Sequence, residues 1–376
     1  MLTQLLDALK EDGVSDCHLV RERDGDLSTL QGADIVALFR CSELQTTTLA
    51  RAARLSGAVV MYATDDNLLE VPKDTRDGKY FQNTVVRRIL TRLIRLADAV
   101  LVYSPLAQNY FARINPNTIL LETLPAIGFD RALKANKRSN EIVVGYAGTA
   151  SHATDFEPVV PAIRKLLDEI PNVRFDFVGY CPPELIGTER VSQTTWIAPY
   201  ENYLAELIKR SWDIGLAPLK DTLFNNCKTN LKFREYAACG IAGIYSDTQL
   251  YRAYVRDQQN GLLVSNTEQG WYEGIRKLAD HPQLRDEIRA AAELEARTKY
   301  TIEKSSEELR RILQELSNEK SGQREIRIRI TGGLLYAFIR PIGIALAMSI
   351  QSFASIRHGT FWRDMREEVG RRRSNS

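Results

Sequence analysis

The sequence predicts an α/β protein of two doubly wound domains facing a cleft, followed by a basic, partly apolar tail. Three observations carry this. Short apolar runs alternate with amphipathic stretches, the rhythm of βαβ units with a parallel sheet covered by helices. The rhythm stops at a polar connector, ALKANKRSN (132–140), and then restarts. At 376 residues, 44% hydrophobic and 26% charged, the chain can build two cores and is not disordered.

In the first domain, ADIVALFR (33–40), GAVVMYA (57–63), ADAVLVYS (97–104) and NTILLETLP (117–125) read as buried strands. Each is bounded by Gly, Pro, Asp or Asn. The stretch 83–96 between them is helical, as is the opening segment, so the chain is expected to start inside a helix with no strand before residue 33. After the connector, EIVVGYAGT (141–149), NVRFDFVG (172–179), TTWIAP (194–199), WDIGLAPL (212–219) and GIAGIYSD (240–247) read as strands, and 157–170 as a helix. A helix at 301–318 is expected to close the second domain, with Ser305 and Glu308 spaced as a capping box. The boundaries are 1–131, 140–300, a closing helix at 301–320 and a membrane-associating tail at 321–376. Both halves are Rossmann-like.

The formal net charge of +2 hides an asymmetry. Residues 320–376 hold 11 Lys/Arg and 4 Asp/Glu, so the rest of the chain is net −5. An acidic body argues against nucleic-acid binding, and a basic tail points to an anionic surface such as a membrane. Cys17, Cys41, Cys181, Cys227 and Cys239 are scattered, with no CxxC pair or His/Cys cluster. That fits a reducing compartment and argues against structural zinc. No signal peptide is visible, which places the protein in the cytoplasm.

Two stretches carry chemistry. Gly145, Gly148 and Thr149 lie where a strand gives way to a helix, where backbone N–H groups bind phosphate; any βα turn also favours Gly. In KTNLKFREYAACG (228–240), Lys228, Lys232 and Glu235 are spaced i, i+4, i+7, one face of a helix. Two lysines balance a diphosphate, and a carboxylate accepts from both hydroxyls of a ribose; a solvated charge stripe has the same spacing. The segment sits after one strand, ending at Pro218, and before another, so it falls at the ligand-binding edge of a parallel sheet.

The runs GYAGTASHATDF (145–156), DIGLAPLKDTLFNNCKTNLKFREYAACGIAGIYSD (213–247), Tyr254 and NGLLV (260–264) resemble the donor domain of group 1 (family 4-like) glycosyltransferases of the GT-B fold. YATDDNLLEVP (62–72) and LADAVLVYSPLAQNYF (96–111) are similar to that group's acceptor domain, more weakly. The resemblance covers roughly residues 33–318. It implies transfer of a sugar from a nucleotide-diphosphate donor, with retention, without a bound metal or other cofactor. Glu235 matches the second Glu of the family's paired-Glu signature and would hold the ribose. Lys228 and Lys232, with the Gly148 and Thr149 turn, would neutralise the leaving diphosphate, and Asn230 is a further donor-side candidate. The first Glu of the signature falls on Cys227, a departure.

Asp65 and Asp66 follow a first-domain strand and either orient or deprotonate an acceptor hydroxyl or form a solvated turn. His152 and Asp155 are placed to touch donor sugar or phosphate, or to cap a helix. Tyr200 and Tyr203 either flank the nucleotide base or pack in the core. Arg88, Arg92 and Arg95 repeat at i, i+4, i+7, as a solvated face or as a patch for anionic lipid or a diphosphate-linked acceptor. In the tail, residues 330–356 hold one charge, Arg340. Glycines, Arg340-Pro341 and flanking basic residues favour a kinked re-entrant or interfacial anchor at the inner membrane face over a span; packing on the protein or on a second copy is the other reading. The function expected is a membrane-associated glycosyltransferase acting on a lipid-linked or polysaccharide precursor. The alternatives are a sugar-nucleotide epimerase and a catalytically silent GT-B subunit.

Overall fold

The computed structural model describes residue 9 and residues 16–122, 140–318 and 327–332. Two six-stranded sheets form, parallel at every pairing. The first runs in the order β1 (Asp16–Arg21), β12 (Arg327–Gly332), β2 (Ile35–Phe39), β3 (Val59–Ala63), β4 (Ala99–Val102), β5 (Thr118–Leu120). The second runs β11 (Leu262–Val264), β10 (Ala242–Ser246), β9 (Ile214–Ala217), β6 (Ile142–Gly148), β7 (Val173–Gly179), β8 (Val191–Thr194).

The first sheet is apolar on both faces because it is covered on both. Val36, Leu38, Val60 and Tyr62 pack under the helices Leu44–Leu55 and Thr84–Leu96. The alternate residues Ile35, Ala37, Val59 and Met61 pack against Leu309, Ile312, Leu313 and Leu316 of the helix Ile302–Asn318. That i, i+3, i+4, i+7 stripe corrects the expectation that this helix closes the second domain: it covers the first. Its cap is Thr301, whose hydroxyl accepts from Lys304 N at 3.2 Å, and Ser305 lies within the helix.

Two further expectations are corrected. A strand does precede residue 33, namely β1. The tail does not begin at 321 as a membrane-associating unit, because Arg327–Gly332 is a strand of the first sheet, in register with both β1 and β2. The alternation in EIRIRIT is a strand pattern with only two or three apolar residues, too short to be read against the apolar run that follows it. Arg340 and the rest of the 330–356 run beyond Gly332 lie outside the described residues. Among the described residues, no helix is long and apolar enough to cross a membrane. In the second domain, β8 ends at Thr194, so residues 195–199 form a loop rather than the strand expected at 194–199.

Candidate active site

The C-terminal edges of the two sheets supply the candidate groups, as parallel α/β sheets do. The first domain contributes Arg40 after β2, Asp65 and Asp66 after β3, and Ser104 after β4. The second contributes Thr149 after β6, Trp196 after β8 and Pro218, buried, after β9.

Lys228, Lys232 and Glu235 do not share one helical face, which corrects the spacing argument. The short helix Leu223–Asn226, capped by Thr222, ends before Lys228, and helix resumes only at Leu231. Asn230 breaks the run with φ −77° and ψ 37°. The helix Leu231–Ala238 closes where Gly240 takes φ +66°, a conformation that favours glycine, and Ile241 N bonds Tyr236 O at 2.9 Å. The two lysines therefore serve different clusters.

Lys228 reaches across to the first domain. Its Nζ lies 3.2 Å from Asp66 Oδ1 and stands over the Phe224 ring at 4.4 Å. Arg40 holds the other side: its Nη2 donates to Asp66 Oδ2 at 2.8 Å, and its Nε donates to Asp65. Burial pushes the Asp66 carboxyl up, but Lys228 and Arg40, with a smaller contribution from His152, together hold it below the usual carboxylate range. Asp66 is thus an ionised group clasped between cations of both domains. Arg40 has a left-handed backbone, φ +51°, unusual for a residue with a Cβ and common at functional turns. Sequence reasoning passed over Arg40; its only signal was a lone arginine ending an apolar strand.

Lys232 stays within its own domain. Its Nζ lies 2.7 Å from Glu235 Oε2. Glu235 is 3% exposed and also accepts from Tyr203 OH and Tyr200 OH, each at 3.0 Å. Burial, reinforced by the Glu235 charge, pushes both phenols up, so they stay neutral donors. Trp196 stacks on Tyr203 with centroids 5.1 Å apart and planes at 24°, yet is 47% exposed. It too was missed, being hidden in a stretch read as strand.

His152 and Asp155 form a dyad in the turn after β6. His152 Nδ1 lies 2.8 Å from Asp155 Oδ2, and Asp155, 4% exposed, accepts Lys220 N at 2.8 Å through its other oxygen. Asp155 therefore orients His152 and ties the loop after Pro218 to it. Thr149 is exposed at the start of this turn, while Gly148 is buried with the Tyr146 hydroxyl filling the space a Cβ would need, 2.2 Å away. Asn230 is turned inward: its Oδ1 accepts from buried Arg234 at 2.9 Å and its Nδ2 donates to Tyr300 OH at 3.0 Å. Among the described residues, no cluster of three or more His, Cys, Asp or Glu is grouped to hold a metal.

Residues 160–328 match the family model described as glycosyl transferase-like. The match covers less than half of the chain and marks that stretch as glycosyl transferase-like. The fold is similar to that of sucrose-phosphate synthase of Thermosynechococcus elongatus, at 17% identity over 76% of this chain and 74% of that one, with a TM-score of 0.56. It is similar to Anabaena HepE in complex with UDP-glucose, at 16% identity over 77% and 80% of the two chains, TM-score 0.57. A Staphylococcus aureus TarM variant, in complex with Fondaparinux, alpha-GlcNAc-glycerol and UDP, matches at 14% identity over 69% of this chain and 51% of that chain, TM-score 0.51. At such identities the likeness is one of fold. No curated protein matches the sequence.

Proposed function

We propose that this protein is a glycosyltransferase of the GT-B type that moves a sugar from a nucleotide-diphosphate donor to a lipid-linked or cell-surface polysaccharide precursor, with retention and without a metal. The observation that carries the reading is the pair of lysine–carboxylate contacts, Lys228 on Asp66 and Lys232 on Glu235, at the edges of both sheets. A diphosphate offers each lysine a doubly charged partner. On its arrival both lysines exchange a carboxylate for phosphate, stabilising charge as it develops on the leaving group. The exchange frees Glu235, beside Tyr200 and Tyr203, to accept the ribose hydroxyls, with exposed Trp196 next to them. It also frees Asp66, with Asp65, to orient or deprotonate the acceptor hydroxyl. His152, held by Asp155, and Thr149 complete the donor side. Retention follows the family resemblance. HepE was solved with UDP-glucose and TarM with UDP, so UDP sugars are the first donors to test.

The acceptor reading rests on charge. Arg88, Arg92 and Arg95 are exposed on the helix Thr84–Leu96 and, with Thr84, Arg87, Thr91 and Leu96, line a groove of about 550 Å³. Arg87 is spent on Gln82 Oε1 at 2.8 Å and on Leu69 O, but among the described residues the other three have no carboxylate partner. An anionic membrane on the inner face supplies one. The alternative is a silent GT-B subunit. Buried Cys227, where the family signature has a carboxylate, favours it.

Titration calorimetry with UDP, followed by turnover of UDP sugars in the presence of EDTA, tests the reading. Binding in the micromolar range with EDTA-resistant turnover is expected; binding without turnover selects the silent subunit, and no binding removes both. Sedimentation with phosphatidylglycerol vesicles tests the arginines: reversing all three charges should release the protein, and unchanged pelleting would place the membrane contact elsewhere.

A further inference from the structure

The stretch 224–228 leaves the second domain and is seated in the first. Cys227 is 2% exposed and belongs to the buried cluster of Val36, Leu38, Tyr62, Leu68 and Phe111, whose other members all come from the first domain; Phe224 packs at its edge. Two buried first-domain polar groups point at it. Asn67 Nδ2 donates to Cys227 Sγ at 3.6 Å, and Ser104 Oγ donates to Cys227 O at 2.9 Å. Both donors sit in turns after adjacent strands, β3 and β4. The next residue, Lys228, makes the ion pair with Asp66.

We propose that residues 224–228 are a latch that clips the donor domain onto the acceptor domain, with Cys227 as its positioning residue. The seat is closed and, apart from Asn67 and Ser104, lined by apolar side chains, so it takes a small neutral group. Burial pushes the Cys227 thiol up, keeping it S–H and uncharged, although the Asn67 amide pulls the other way. A carboxylate there would lose its water inside a largely apolar cluster and face the charge of Glu70. Closure through this seat and an acidic side chain at 227 are therefore incompatible. Cys227 fixes the backbone that aims Lys228, so the latch sets where the leaving-group cation stands relative to Asp66. Release of the seat would carry Lys228 away from Asp66 and open the cleft.

The kinetic arm of the test rests on the proposed transferase reading; the scattering arm does not. By small-angle scattering, Cys227→Glu should show a larger radius of gyration than wild type, while Cys227→Ala, small and apolar, should match wild type. With UDP sugar and acceptor, Cys227→Glu should lose at least tenfold in kcat and bind UDP more weakly because Lys228 moves with the latch, while calorimetry still shows both domains melting cooperatively, a combination that general unfolding would not give. Unchanged scattering together with unchanged kcat overturns the latch. If wild type transfers nothing, the transferase reading fails and scattering alone decides. Should Cys227→Glu not fold, alkylation of the wild-type chain decides instead: the latch predicts that Cys227 is protected in native buffer, and labelling there as fast as in urea overturns it.

Discussion

The two sheets are the same size and built on different principles. The second sheet is assembled from one run of chain, from Ile142 to Val264. The first takes strands from 16–120 and then needs Arg327–Gly332 between β1 and β2, with the helix Ile302–Asn318 as its cover. One domain is locally self-sufficient; the other depends on a strand some three hundred positions away from those it pairs with. Apolar periodicity marks where strands are, but pairing in a parallel sheet is non-local, and only the assembled fold shows which strand fills a gap.

The largest expected effect follows from that dependence. A chain ending at Asn318 lacks an interior strand of the first sheet, leaving β1 unpaired and the edge of β2 open. Calorimetry should lose the first domain's transition while UDP binding by the second survives; two intact transitions would make β12 dispensable. Next is Glu235→Ala, which acts within the self-sufficient domain. It strands half-buried Lys232 and Tyr200 and buried Tyr203 without their acceptor, at about 1–3 kcal/mol for the buried Tyr203 hydroxyl alone. UDP affinity should fall about tenfold to a hundredfold with the first domain's melting unchanged, and unchanged affinity would sink the ribose assignment. Asp66→Asn touches only the junction. It should lower kcat by roughly tenfold while leaving UDP affinity intact, in keeping with the ordinary size of a positioned acid–base contribution. The smallest effect is acid opening. The folded Asp66 carboxyl sits below its unfolded value, so its contribution is full above the usual carboxylate range. It is lost as pH falls through the folded value. Scattering should show the cleft loosening only below about pH 4; a change beginning near neutrality would rule Asp66 out as its cause.

Much of the second domain was legible, because β6 and β9 are apolar runs ended by Gly or Pro, β7 is a mostly apolar run ended by Gly179, and β10 opens after Gly240 and ends at Ser246 before Asp247. Glu235 was placed at the sheet edge for the same reason, since its segment is pinned between two strands. What stayed hidden was set by three-dimensional neighbours. Arg40 is distinguished by a left-handed φ and two carboxylates, neither of which is written in ADIVALFR. Lys228 looked helical by spacing, and only the Thr222 cap and the break at Asn230 take it off the helix and across the cleft. Trp196 matters through its stacking on Tyr203, a contact between a loop and a later helix.

The position of β12 also bears on the order of events at the ribosome. Domains commonly fold as they emerge, the N-terminal one first. Here residues 16–122 appear early but cannot close their sheet until residue 332 has been made. The strands of the second sheet are complete once residue 264 has emerged. The half translated first is the half finished last, and in the interval the open edges of β1 and β2 are where chaperones or a second nascent chain would bind.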